Sequence, residues 1–160
     1  MASLVEDLRA QAATDPLTGL GHHRSFQDRL AGAHIESLAV LVIDVDGFKE
    51  VNDRLGHQAG DRLLRRTAAV LADELRSGDE LFRIGGDEFA ALVRVEDQGD
   101  ALDLGRRLCA AVRGQAGVTV SVGVGVPGRS EALGDLVARA DRALYEAKRA
   151  GRDGAVLAGG

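Results

Sequence analysis

Arg83-Ile84-Gly85-Gly86-Asp87-Glu88-Phe89 decides how this chain reads. Two glycines stand between an extended apolar approach (Leu81, Phe82, Ile84) and an extended exit (Phe89 to Val93). A Gly-Gly pair so placed predicts a two-residue hairpin turn, because glycine accepts the positive φ that such turns need. The hairpin is expected over 79–95, with the carboxylates of Asp87 and Glu88 at its tip. Backbone stripped of side chains at Gly85 and Gly86 lets a polyphosphate approach, and a cation can bridge it to the acids. Taken alone, the same residues also describe a solvated acidic turn.

The rest of the chain separates the two. Leu38-Ala-Val-Leu-Val-Ile43 is an uninterrupted apolar run of strand length, and it ends in Asp44-Val45-Asp46. Such a run fits a strand buried on both faces. Asp44 at its end reads as a ligand that shares a hard cation with Asp87, and Mg²⁺ suits a few carboxylates plus substrate phosphates. Asp46 reads as the cap of the following helix.

Further segments, in order, are Asp15-Pro-Leu-Thr-Gly-Leu20, Ile43-Asp-Val-Asp-Gly-Phe-Lys49, Asn52-Asp53, Gly56-His57 and Gly60-Asp61. After the hairpin come Thr119-Val-Ser-Val-Gly123, Ala140-Asp-Arg-Ala-Leu-Tyr145, Ala147-Lys148 and Gly151-Arg152. In this order and spacing the chain resembles the GGDEF domain of the diguanylate cyclase family over nearly its whole length. Each piece is weak by itself; the series is specific.

Composition bounds the class. A chain of 160 residues is one domain with room for a sizeable core. No apolar stretch is long enough to span a bilayer, and the first residues lack signal-peptide regions. The single Cys109 sits among Leu104, Leu108 and Val112 and reads as an inert core thiol. A cytoplasmic location, with no membrane contact from this chain, is expected. A net charge of −5 and 3% aromatics argue against a nucleic-acid partner.

Periodicity predicts helices over 3–13, 22–32, 46–55, 61–76, 100–113 and 133–150. The first carries Leu4, Leu8 and Gln11 on one stripe and is stopped at Asp15-Pro16. It reads as the stub of a helical connector over 1–14, with the catalytic domain over 15–160. Residues 118–126 alternate valines with Thr119, Ser121, Gly123 and Gly125, a strand whose second face admits close packing. Gly151 follows the last helix as a C-cap. This pattern indicates an α+β fold with a mostly antiparallel sheet flanked by helices. The resemblance implies the same: a palm-like, nucleotidyl-cyclase-like fold.

The resemblance also implies the chemistry. Two GTP molecules become cyclic di-GMP and two pyrophosphates. Asp44, Asp87 and the Val45 carbonyl would hold two Mg²⁺ ions, with Mn²⁺ as a substitute, and Glu88 takes either a metal or a proton-transfer role. The turn Asp46-Gly47-Phe48-Lys49 would offer N–H groups to phosphate at a helix start. Lys148 and Arg152 match the family's phosphate-binding pair. On residue chemistry alone, Lys148 and Arg149 are equally placed to complement a helix dipole. Asn52 and Asp61 would read guanine, an acid accepting its N1–H and N2–H₂ donors; without the motif they read as a polar helix end and an N-cap. His57 is expected in the pocket wall and not in catalysis, and Gly85 and Gly86 are expected to let the substrate approach.

A second constellation, Arg76-Ser77-Gly78-Asp79, resembles the family's inhibitory product site, with Arg107 as the secondary arginine and Arg106 beside it solvated. Arginine can grip the O6/N7 edge of guanine in two parallel hydrogen bonds. The alternative is an ordinary surface charge pair. Two features depart from the family. His22-His23-Arg24 replaces a short apolar residue followed by Asn-Arg, so His23 stands for a structural Asn, and no third ligand supports a metal at the two histidines. Gly47 replaces a bulkier residue and is expected to loosen the phosphate turn. The partners expected are GTP, cyclic di-GMP, a second copy of the chain in a catalytic homodimer, and an upstream sensor domain. The other reading is a non-catalytic cyclic di-GMP receptor on the same fold.

Overall fold

The computed structural model describes Leu4 and residues 13–32, 38–128 and 131–159. The helix expected over 3–13, and with it the connector, lies outside the described residues apart from Leu4, Ala13 and Thr14. The elements are β1 (Gly21–His22), α1 (His23–Ala31), β2 (Leu38–Val45), α2 (Phe48–Leu55), α3 (His57–Glu74) and β3 (Glu80–Arg83). They continue with β4 (Glu88–Arg94), α4 (Gln98–Gln115), β5 (Val120–Gly125), α5 (Leu133–Arg149) and β6 (Gly154–Leu157).

The strands form one sheet in the order β1-β3-β4-β2-β5-β6. The three central pairings are antiparallel, whereas β1 joins β3 and β6 joins β5 in parallel. The sheet is thus mixed, and mostly antiparallel as expected. β2 lies at its centre, with Ala39 to Ile43 fully buried. Its side chains alternate between two cores. Leu41 and Ile43 join Leu64, Leu71, Leu104 and Leu108 from α3 and α4 on one face. Val40 and Val42 join Phe26, Leu30, Leu136 and Leu144 from α1 and α5 on the other.

β5 shows why one of its faces is glycine. A Cβ at Gly123 would lie 2.1 Å from the Ala140 carbonyl oxygen and 2.4 Å from the Leu144 nitrogen, so α5 rests directly on the strand. The valines opposite, Val120, Val122 and Val124, fill the first core. Cys109 is buried there too, its Sγ 3.6 Å from the Val120 carbonyl. Burial, with Asp153 and Asp46 nearby, pushes its thiol up to about 12, as an inert core cysteine requires.

Three local expectations are corrected. Four residues, Ile84 to Asp87, separate β3 from β4, and neither Gly85 nor Gly86 has positive φ, so the turn is wider than a two-residue hairpin. The Ile84 and Gly85 N–H groups both donate to the Glu88 carbonyl, at 2.9 and 3.2 Å, and gather the loop onto one acceptor. The third helix begins at His57, which places Asp61 inside it rather than at its N-cap. Asp46 does not cap α2; Gly47 is the N-cap residue, without a side-chain cap bond, at φ +69. Glycine is unstrained at that angle.

Candidate active site

The site lies where β2 leaves the sheet. Register places Asp44 opposite Glu88 on β4 and opposite Ser121 on β5. Cross-strand partners share a face, so Asp44 and Glu88 both point toward α5. The Val45 N–H donates to the Asp87 carbonyl at 3.0 Å, which draws the acidic tip alongside the end of β2. A cleft of about 230 Å³ results, lined by Asp44 to Glu50, Asp87, Lys148 and Arg152.

Asp44 and Asp87 come from the end of β2 and the turn before β4, while Lys148 and Arg152 come from the end of α5 and the turn after it, with Lys49 on α2 as a further cation. Lys148 Nζ donates to Asp44 Oδ2. Burial raises the Asp44 carboxyl, Lys148 opposes that, and Asp87 adds to it. Lys148 is itself raised, because Asp44, Asp87 and Glu88 together outweigh its own burial. The two shifts pull the pair in opposite directions: one ammonium serves three carboxylates, so it stays charged while Asp44 remains under-compensated. Glu88 is raised by burial and then by Asp141 on α5, a residue that sequence reasoning did not assign to the site.

The donor set fits a hard divalent cation. Asp44 Oδ1 is buried and has no hydrogen-bond partner, an acceptor without a donor. No group of three or more His, Cys, Asp or Glu side chains with metal-holding geometry occurs among the described residues. Two carboxylates and the Val45 carbonyl therefore provide only part of a coordination shell. That pattern matches Mg²⁺, which draws its remaining ligands from phosphate and water.

Gly47, Phe48 and Lys49 line the cleft. Asn52 and Asp61 lie outside its lining but close together in the fold. Asn52 Oδ1 is buried, unpartnered, and 1.9 Å from where a Gly60 Cβ would stand, so the side chain lies against the residue before Asp61. Asp61 and His57 are exposed on α3, and His57 does not line the cleft. Gly85 and Gly86 border a separate cavity of about 510 Å³ together with Asp15, Arg83 and His22 to Arg24. His22 Nδ1 caps α1 by accepting the Ser25 N–H at 3.4 Å.

Sequence reasoning missed the lock behind the acidic turn. Arg83 donates to the Gly86 carbonyl at 2.7 Å and to Asp15 at 3.0 Å. Asp15 also accepts the Thr18 N–H at 2.9 Å and its hydroxyl at 2.7 Å. The Asp15-to-Leu20 segment thus braces the hairpin, and nothing local in the sequence pairs Asp15 with an Arg 68 positions away. Elsewhere, Asp79 accepts the backbone N–H of Arg76 at 2.9 Å and that of Arg94 at 3.3 Å. Arg76 and Asp79 therefore form no side-chain ion pair, and the Arg76 guanidinium is exposed. Arg107 is exposed on α4; its neighbour Arg106 lies 3.8 Å from Asp103.

A mixed sheet with paired acids at its central strand end and cations on the last helix defines a nucleotidyl-cyclase-like class. Residues 12–154 match the family model described as diguanylate cyclase, GGDEF domain. The chain belongs to the GGDEF family. It is 39% identical over 165 aligned residues to diguanylate cyclase DgcP of Pseudomonas aeruginosa, covering 94% of this chain and 25% of that protein. It is 36% identical to diguanylate cyclase DgcZ of Escherichia coli, covering 91% of this chain and 53% of that protein. The chain thus spans between a quarter and about half of these relatives. Among solved structures, the coiled coil and GGDEF domain of DgcB from Caulobacter crescentus, in complex with c-di-GMP, has a TM-score of 0.89 at 31% identity. That match covers 96% of this chain and 90% of the other. Diguanylate cyclase SiaD of Pseudomonas aeruginosa, in complex with its activator SiaC, has a TM-score of 0.85 at 38% identity, covering 97% and 65%.

Proposed function

We propose that this chain is the catalytic domain of a diguanylate cyclase that condenses two GTP into cyclic di-GMP and two pyrophosphates. The observation that carries the reading is the convergence of Asp44, Asp87, Lys148 and Arg152 on one cleft, with Asp44 Oδ1 left as a buried acceptor. Asp44, Asp87 and the Val45 carbonyl would hold Mg²⁺, which when bound stabilises charge on the attacking and leaving oxygens. Lys148, Arg152 and the N–H groups of Gly47 to Lys49 hold the triphosphate. Asn52 and Asp61 read the guanine edge. Glu88, opposite Asp44, stands beside the reacting groups.

One chain has one such cleft among the described residues, and the product joins two guanosines symmetrically. Two loaded copies therefore face each other across a two-fold axis, each 3′-hydroxyl attacking the other's α-phosphate. The exposed Arg76 guanidinium, with Asp79 holding its backbone and Arg107 exposed on α4, forms the inhibitory site for product. The reaction uses cytoplasmic GTP. Incubation with GTP and Mg²⁺, followed by identification of the product by mass, tests the reading. Cyclic di-GMP formed at a rate per chain that rises with protein concentration supports it. Binding of cyclic di-GMP without any synthesis would leave a receptor on the same fold.

A further inference from the structure

We infer that Asp46 is a positioning residue acting through Arg152: it holds the left-handed turn that keeps this cation in the cleft. The inference rests on the reading of Arg152 as a phosphate-binding residue.

Three successive residues after α5 have positive φ: Gly151 at 119°, Arg152 at 64° and Asp153 at 45°. Arg152 and Asp153 are the non-glycine positive-φ residues among those described. A residue with a Cβ occupies that region only when its surroundings hold it there. Two hydrogen bonds act on successive amides. The Arg152 N–H donates to the Ala147 carbonyl at 3.0 Å, closing the helix end. The Asp153 N–H donates to Asp46 Oδ2 at 3.0 Å. The chain then enters β6, where Gly154 registers with Ser121 on β5. Asp153 also meets Arg113 at 3.0 Å, but Arg113 is 53% exposed, and such a pair contributes little.

The Asp46 carboxylate is itself fixed. Oδ2 accepts the Thr119 hydroxyl and Oδ1 the Ser121 hydroxyl, each at 2.7 Å. Three donors thus meet two oxygens, and Oδ2 takes two of them, the Thr119 hydroxyl and the Asp153 N–H. An amide could keep these, its oxygen accepting both and its N–H₂ donating to the Ser121 hydroxyl, so only removal of the side chain frees the Asp153 amide. With its oxygens so engaged, the second acid of Asp44-Val45-Asp46 serves geometry, while Asp44 keeps the free oxygen. Arg152, one residue from the anchored amide, lines the cleft.

Asp46→Ala tests this against Arg152→Ala and the double variant. Removing one charged phosphate contact should raise the GTP KM by about tenfold in Arg152→Ala, with kcat nearly retained. Asp46→Ala should show the same split, and the double variant should be no worse than either single. Hydrogen exchange at the Asp153 amide should be at least about tenfold faster in Asp46→Ala, in the absence of any nucleotide. Thr119→Val, which removes one donor and keeps the acid, should move KM in the same direction by less, and stands in if Asp46→Ala does not fold. Multiplicative effects in the double variant, or an unchanged KM and unchanged Asp153 exchange in Asp46→Ala, would overturn the inference. An Arg152→Ala protein with parental KM, alongside faster Asp153 exchange in Asp46→Ala, would instead remove Arg152 from phosphate binding and leave the Asp46 anchor standing.

Discussion

Replacing Asp44 by Asn should stabilise the metal-free protein while abolishing synthesis. The Asp44 side chain is 14% exposed, with one oxygen on Lys148 and the other unpartnered. Its carboxyl is raised, burial being the largest cause, so the folded environment favours the neutral form. A raised folded-state value contributes stability that is complete below the unfolded carboxylate range and is lost as pH rises through the folded value. The parent therefore carries this cost near neutral pH and not in acid. Asn is neutral throughout and keeps an oxygen for Lys148. An unpartnered buried acceptor costs about 1–3 kcal/mol, more if charged. The amide leaves part of that in place and gives up the charge that Asp44 offers Lys148, which keeps Asp87 and Glu88, so a net recovery of at most about 1 kcal/mol is expected, or a midpoint higher by up to about 2–4 °C for a domain of this size. Calorimetry in EDTA at neutral pH should show this gain, and in acid the two proteins should converge. Mg²⁺ with GTP should raise the midpoint of the parent and not of Asp44→Asn. A variant that melts below the parent at neutral pH in EDTA, or that still forms cyclic di-GMP at near the parental rate, would refute the argument.

Other consequences separate the remaining residues. Asp61→Ala should loosen the preference for GTP over ATP by about tenfold or more, read from competition assays, because an unmatched guanine donor pair no longer penalises the wrong base. Arg76→Ala should extend progress curves that flatten in the parent as product accumulates, with no change in melting temperature. Asp79→Ala should do the same but also melt lower, since two backbone N–H groups, those of Arg76 and Arg94, lose their acceptor; equal product affinity of parent and Arg76→Ala by calorimetry would reject the inhibitory site. Gly123→Ala should cost at least about 1–3 kcal/mol, because its Cβ meets backbone of α5 that no rotamer change can clear. Chemical denaturation measures that loss directly.

The parts of the fold that were legible in sequence are those governed by local pattern. Leu38 to Ile43 declared a doubly buried strand because both faces of the central position are apolar, and 118–126 declared its close-packed face because alanine-free glycine alternation has few other uses. β1 and β6, with two and four residues, carry no such pattern. They exist through parallel pairing with β3 and β5, which composition does not encode. The acidic turn was located correctly and its geometry was not, since Arg83 bonding to Gly86 and Asp15 sets the loop from outside it. Asp46 was assigned to the helix that follows it, yet its partners Thr119, Ser121 and Asp153 lie 73 to 107 positions away. Asn52 and Asp61 came from motif order, since nothing in residue chemistry alone separates them from helix-end polar groups.

The division of charge explains why so much of the site depends on packing elsewhere. The carboxylates ride on β2 and the turn before β4, held in register by the sheet. Lys148 and Arg152 ride on α5 and the turn after it. How near Lys148 comes to Asp44 is therefore set by how closely α5 approaches β5, and that distance is fixed by the missing side chains at Gly123 and Gly125. Arg152 has a second dependence, because it lies beyond the helix and is reached only through the turn that Asp46 anchors. Asp46 in turn is held by Thr119 and Ser121, from the same strand and approach that carry Gly123. One strand thus sets both distances across the cleft, by a close face without side chains at one end and by two hydroxyls at the other. A change in β5 should consequently move Lys148 and Arg152 together, whereas a change at Asp46 should move Arg152 and leave the Lys148–Asp44 pair in place.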